Sequence, residues 1–282
     1  MQNGIGPTPS RSVADAYGKI LTRLRVRLPH AAEEIGLQKN LSVQMEDMPD
    51  WWHAGNNILV APAGVRIPSP AFVGPNPPRD AIVIVSSNCT LPNQILIGGV
   101  GSAIYLGAQS SLPNGTIICT NDSMIVLAGN IFAIHAANLD ARNGGLIYVG
   151  DDNLWSSNVK INTDDMHAIF DHVSLKRLNR FGSVVTIGTH VWLGSDVLIN
   201  PGARIADNAV VGSRAVVTKT IPTGCVAVGA PARVVRRLTT WTREDIPPDV
   251  RASDRGLTPY DCGSGGLTHR LQRFFANGRR RR

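Results

Sequence analysis

The sequence predicts an all-β-dominated fold, a parallel β-helix of triangular cross-section, with a helical segment before it and an Arg-rich tail after it. Three observations predict this. Branched aliphatics recur at every sixth position from Ile187, continuing with Leu193, Ile199, Ile205, Val211 and Val217. Four positions after each stand Val191, Val197, Ala203, Ala209, Ala215 and Ile221, which are mostly small. The chain also holds 28 Gly and 18 Pro but only 5% aromatic residues, which suits many short strands and turns better than a helical bundle.

A period of six follows from geometry. A short strand and a turn make one side of a triangle. Three sides return the chain to its starting side, about 4.8 Å higher, one strand spacing along the axis. The aliphatic of each hexad then points into the prism and stacks on its counterparts, and the small residue fits near the corner. Gly188, Gly194 and Gly212, each one step after an aliphatic, would permit the corner backbone. Such hexad periodicity is a β-helix signature.

The elements before the hexads read in order. Val13, Tyr17, Ile20, Leu21, Leu24 and Leu28 form one stripe at helical spacing. The stripe predicts a helix over 12–28, with Ser12 and Asp15 as a capping signal and Pro29 as its stop. A short second helix is expected over 30–36, and the segment 1–50 is read as helical. Over 51–94, runs such as Ile58–Val60 and Ile82–Val85 alternate with Gly, Pro and Asn and read as short strands leading into the prism. Weaker hexads appear at Leu106, Leu112, Ile118 and Met124, and at Val149, Trp155 and Ile161. The prism is therefore expected over about 95–237, irregular near 130–148, with a basic extension over 238–282.

Charge is uneven. Residues 233–282 carry 12 Arg and 5 acids, and residues 1–232 carry 16 basic and 16 acidic side chains, so the net +7 belongs to the tail. Such a tail can contact phosphates or an anionic membrane surface, against the simpler reading of a solvated end. Beyond Trp241, Phe274 and Phe275 it lacks the interleaved aromatics of a nucleic-acid platform. The four cysteines, Cys89, Cys119, Cys225 and Cys262, show no metal spacing and are read as ordinary thiols. No apolar run approaches a membrane span and Met1–Ser10 has no signal-like stretch, which predicts a cytoplasmic protein.

One interruption stands out. From Ile161 to Ile187 is 26 residues, where one coil would take about 18. About eight residues are expected to leave the prism, within FDHVSLKRLNRFGS (170–183). Loops on rigid scaffolds concentrate binding and catalysis. His167, in TDDMHAIFD, stands at the root of this loop. With eight residues removed, Trp192 falls almost one turn after it, so the two are expected on the same side in adjacent coils.

The stretch IGTHVWLGSDVLINPGARIADNAVVGSRAVVTKTIPTGCVAVGAPARVVRR resembles the hexapeptide-repeat acyltransferase superfamily. GAPARVV is similar to the closing motif of its maltose, galactoside and xenobiotic acetyltransferase branch. TDDMHAIFD followed by HVWLG is similar to its sialic acid and capsular polysaccharide O-acetyltransferases. The resemblance spans about 147–237 and implies a left-handed β-helix. It implies homotrimers with active sites between neighbouring prisms, and acetyl-CoA lying along the repeats; because a thioester is already activated, no metal is expected. It implies a histidine base at the position of His167 with Trp192 nearby. Where that family commonly has Gly before the histidine, this chain has Met166.

The chemistry needs a base near neutral pH beside the acceptor proton, which suits histidine. It also needs a donor for the developing oxyanion, for which a backbone N–H near Gly194 and the Trp192 indole are candidates. Asp165 or Asp171 would orient the imidazole. His172 and His190 are rival bases. A structural histidine, turn-capping aspartates and a seam-filling tryptophan are the competing readings. For CoA, Gly194, Gly212, Ser213 and Ala215 would let the pantetheine arm approach the backbone, and Lys219, Arg233 and Arg236 would pair with its phosphates. The expected reaction is O-acetylation of a sugar hydroxyl on a glycan or its precursor, with N-acetylation of an amino sugar as the alternative. A non-catalytic β-helix scaffold is a third.

Overall fold

A computed structural model describes residues 12–255 apart from 45, 47, 66 and 69. The end of the Arg-rich tail, with Cys262, Phe274 and Phe275, lies outside the described residues. The chain winds into a left-handed parallel β-helix of about seven turns. Its three faces are sheets of nine, six and seven strands. In each coil the chain passes from the first face to the second and then the third. A coil runs, for example, through Leu146–Val149, Asn153–Ser157 and Lys160–Asn162.

The hexads from Ile187 occupy the places their spacing predicts. Ile187, Leu193, Ile199, Ile205, Val211 and Val217 are all buried and stack on partners one coil away, such as Leu193 on Val211 and Ile199 on Val217. The series stops there. Ile221 is not a corner residue but takes the face position above Ile205. Upstream, each coil is longer, and Ile125 pairs with Ile147, 22 residues later. The weaker hexads therefore lose register at Ile118, which faces outward while Ile117 is buried.

Two expected boundaries move. Parallel pairing already begins between Ile58–Pro62 and Ile82–Val85, far before residue 95. The interval near 130–148 is regular, with strands Ile131–His135, Asn138–Ala141 and Leu146–Val149. The corners also differ from expectation. At the turn from first to second face, Asn88, Gln109, Asn130, Asp152, His190 and Asn208 stack with φ between 49° and 59°. Asn and Asp tolerate this left-handed backbone better than most residues. The glycines after the aliphatics serve close stacking instead, since a Cβ on Gly194 would lie 2.5 Å from the Ser213 nitrogen.

The helix α1 (Val13–Arg27) starts where the sequence places it, with the Ser12 hydroxyl accepting from the Asp15 N–H at 3.0 Å. The expected second helix is the single turn Ala31–Glu33. Ala16, Ile20 and Leu24 bury the inner side of α1 against the outside of the first face, on Val60, Ile84, Tyr105, Val126 and Tyr148. Arg23 donates to the Gly101 and Asp122 carbonyls, at 2.7 and 2.9 Å, and Arg27 to the Gly144 carbonyl at 2.5 Å. These bonds fasten α1 along the corner between third and first faces. No helix among the described residues is long and apolar enough to cross a membrane.

Candidate functional site

The interruption lies at that same corner, and it is larger than expected. Ile161 pairs with Ile199 on the third face, and Ile187 pairs with Ile205 on the first. Ile161 to Ile187 thus turns one corner and does not complete a coil. The 26 residues span what six span between Ile199 and Ile205, so twenty leave the prism and not eight. The chain departs after Thr163 and returns at Ser183, whose N–H bonds the Thr163 carbonyl at 2.8 Å.

The loop is an ordered hairpin. Phe170 and Arg177 form an antiparallel bridge, and Leu178 N–H donates to Ile169 O at 2.7 Å. The Asp171 carboxylate closes the tip. It accepts from the Ser174 N–H and hydroxyl, each at 2.7 Å, and from the Val173 N–H at 3.2 Å. These bonds, led by that from the Ser174 N–H, hold the carboxyl below its ordinary range. Asp171 therefore caps its own turn, the competing reading of this residue.

Two residues that the sequence reading passed over build the root. Buried Asp164 accepts from the Met166 N–H at 2.6 Å and from the Gly182 N–H at 2.8 Å, clamping both ends of the loop with one carboxylate. Burial opposes its charge, but the two N–H bonds outweigh that and lower its pKa. Asn179 is the second. Its amide N–H group donates to the His167 carbonyl at 2.7 Å and to the Asp165 carboxylate at 3.1 Å, and its oxygen accepts from Ile169 N–H at 2.9 Å. The TDD run could have signalled Asp164, since Asp caps turns two residues on. Nothing local points from Asn179 to a histidine twelve residues away.

His167 is exposed on this framework, open to an incoming ligand. Met166 before it has φ of 63°, a left-handed conformation that favours Gly. The departure from Gly at this position therefore carries backbone strain. Met166→Gly is expected to raise stability by roughly 0.5–1 kcal/mol, relieved strain exceeding Gly's extra chain entropy, as read by chemical denaturation.

Asp164→Asn is expected to free the loop. It removes the charge and one of two acceptors while leaving the prism intact. Proteolysis within 165–182 should accelerate and the rate of any reaction using His167 should fall at least ~10-fold, the cost of about one charge-assisted bond. The pH dependence has a definite sign. The lowered pKa of Asp164 means the clamp is fully present above the ordinary carboxylate pKa of about 4 and is lost as pH falls from there through the group's own, lower pKa.

The other predicted residues divide by location. Because the chain leaves the coil before His167, Trp192 does not share its side. Trp192 lies on the second face, paired with Leu154 and Val210 and 40% exposed, whereas His167 rises from the third-to-first corner. The Gly194 N–H donates to Val211 O at 2.8 Å, so it is committed to the ladder and is not an oxyanion donor. Ala215 is fully buried and points into the prism, away from any cofactor. Ser213, Lys219, Arg233 and Arg236 are exposed on the last coils, and Gly212 is partly so. His190 is no base, because both ring nitrogens already face acceptors, the Asp152 carboxylate at 2.7 Å and the Trp241 carbonyl at 3.0 Å. His172 is exposed near the hairpin tip.

Comparison with known proteins agrees with this architecture. Residues 185–219 match the family "Bacterial transferase hexapeptide (six repeats)". The galactoside O-acetyltransferase of Escherichia coli K12 is 39% identical over 101 residues, which cover 36% of this chain and 49% of that protein. The polysialic acid O-acetyltransferase of Escherichia coli O1:K1 / APEC is 31% identical over 149 residues, covering 51% of this chain and 48% of that one. The chain thus spans about half the length of these curated relatives. The crystal structure of the polySia-specific acetyltransferase NeuO superposes with a TM-score of 0.57 and 22% identity, covering 71% of this chain and 89% of that one, a likeness of fold. The chain carries the bacterial transferase hexapeptide repeat on a left-handed β-helix, and it resembles the hexapeptide-repeat acyltransferases.

Proposed function

We propose that this protein transfers the acetyl group of acetyl-CoA directly to a sugar hydroxyl of a glycan or glycan precursor, with His167 as general base. The observation that carries this reading is an exposed histidine held at the root of an ordered hairpin beside a hexapeptide prism. The relatives named for O-acetylation of galactosides and polysialic acid support the acceptor class.

A thioester is already activated, so the chemistry asks for positioning and proton transfer. The His167 imidazole takes the acceptor hydroxyl proton as that oxygen attacks the acetyl carbonyl. The tetrahedral intermediate collapses with cleavage of the C–S bond, and the departing thiolate takes the proton back from the imidazolium. Asn179 fixes the backbone at His167 and keeps Asp165 beside it. The donor's needs fit the last coils, where Ser213 offers a hydroxyl and Lys219, Arg233 and Arg236 offer exposed charge for phosphates.

A neighbouring copy completes the site in this reading. The hairpin exposes Met166, Ile169, Phe170, Val173, Leu178 and Phe181, and the second face exposes Phe132, Ile134 and Trp192. Two apolar surfaces on different sides of one prism suit a closed ring of copies, in which the hairpin of one meets the Trp192 face of the next. In this reading the ring is a homotrimer.

The test is a screen of mono- and oligosaccharides with acetyl-CoA, following released thiol. An alkali-labile product is expected, as an ester requires. An alkali-stable amide moves the assignment to N-acetylation of an amino sugar. Failure to bind CoA in calorimetry favours a non-catalytic scaffold.

A further inference from the structure

The segment after the last strand turns back along the second face. The Asn208 side-chain amide donates to the Thr239 carbonyl at 3.1 Å and accepts from the Thr240 hydroxyl at 2.8 Å. The Trp241 indole N–H donates to the His190 carbonyl at 2.8 Å, and the two rings stack with centroids 4.2 Å apart at 13°. Arg243 follows, donating to the Asp152 carboxylate at 3.0 Å and to the Asn153 carbonyl at 3.1 Å. The Trp241 ring also lies 6.1 Å from the Trp192 ring, tilted by 46°. Trp241 is 6% exposed, so the cluster is built rather than draped.

The hydrogen-bond inventory of His190 is decisive. Its Nδ1 faces a carboxylate and its Nε2 faces a backbone carbonyl. Neither can donate. Burial opposes the charge on Asp152, but bonds from His190 and Arg243 hold that carboxyl below its ordinary range, so it stays an acceptor. A neutral imidazole has one N–H and serves one partner; an imidazolium serves both. A cation also suits the indole face against which the ring stacks. The charged groups on the surrounding elements are Asp152, Arg243, Asp151, whose carbonyl accepts from the His190 N–H, and Asp207, whose carboxylate accepts from the Thr189 N–H.

We propose that His190, protonated on both ring nitrogens, is a latch that fixes residues 239–243 across the second face and so positions Trp192 at the transfer site. The latch stands on its own contacts; only the role of Trp192 rests on the transfer reading above. A ring with a single N–H serves only one of the two acceptors, so losing either N–H loosens the segment.

Amide hydrogen exchange on the full chain, normalised to intrinsic rates, tests this. Protection of 239–243 is expected to be roughly ten-fold lower in His190→Gln than in the unmodified chain, the equivalent of one hydrogen bond. If that variant does not fold, the unmodified chain still decides, because imidazole ¹⁵N spectra should show protons on both ring nitrogens of His190. A single protonated ring nitrogen, or protection that His190→Gln leaves unchanged, overturns the latch. For the positioning role, His190→Gln should raise the acceptor KM several-fold while kcat changes less; unchanged kinetics overturns that half. Absence of transfer by the unmodified chain counts against the transfer reading and leaves the exchange result standing.

Discussion

His167→Ala is expected to slow acetyl transfer by 10²- to 10⁴-fold at neutral pH, about the range a positioned general base contributes. The loss should fall on kcat and leave the acetyl-CoA KM within a small factor, since the imidazole acts on the acceptor proton and not on the nucleotide. Folding should be unaffected. His167 is exposed, and its contact to Asn179 is made by its backbone carbonyl, which Ala retains. Surface changes of this kind usually alter stability by less than about 0.5 kcal/mol. Released-thiol kinetics on the variant, with His172→Ala as the comparison, check it. If His172→Ala shows the large loss and His167→Ala does not, the base has been misassigned within the hairpin.

Trp155→Ala is expected to destabilise the prism by about 3–5 kcal/mol. Trp155 is fully buried on the second face, between Ala133 in the coil below and Leu193 in the coil above. Its bulk fills space that a small residue beneath it leaves. The ladder holds both neighbouring coils in fixed register, so the cavity cannot collapse. Each coil contacts only its neighbours, so a loss at one coil weakens the stack on both sides of it. Against a typical total of about 5–15 kcal/mol, this is a large fraction. Denaturant midpoints of the two chains measure it, and a change below about 1 kcal/mol would mean the core relaxes around the site. The indole N–H has no hydrogen-bond partner, so the whole expected loss is one of packing.

The scale of these effects reflects how differently the two residues were legible. Trp155 could be placed inside from its spacing with Val149 and Ile161, all three of which are buried. His167 was found by motif and by its place at the loop root, but the loop's length and direction were misjudged. The count from Ile161 to Ile187 could mean one coil with a short insertion or one corner with a long one. Only strand pairing separates them, and pairing is a long-range property. Moving the departure point ahead of His167 took Trp192 to a different face, which is why a second copy enters the proposed site.

What the sequence determined by itself was the prism and its cap. Six aliphatics at one period, Ile187 to Val217, dictate a triangular coil because each must turn inward to leave water. Ser12 and the stripe of α1 were equally local, since a helix is specified within a few residues. The tertiary structure alone decided the rest. Upstream coils of 21 to 24 residues break the period of six, and the first-face strands there, such as MIVL and LIYV, are buried on both sides by the core and α1. With no exposed side there is no alternation to read. The clamp by Asp164, the support by Asn179 and the fate of His190 join residues 12 to 51 positions apart. Their bonds exist only once the coils have stacked, so no local pattern in the chain could encode them.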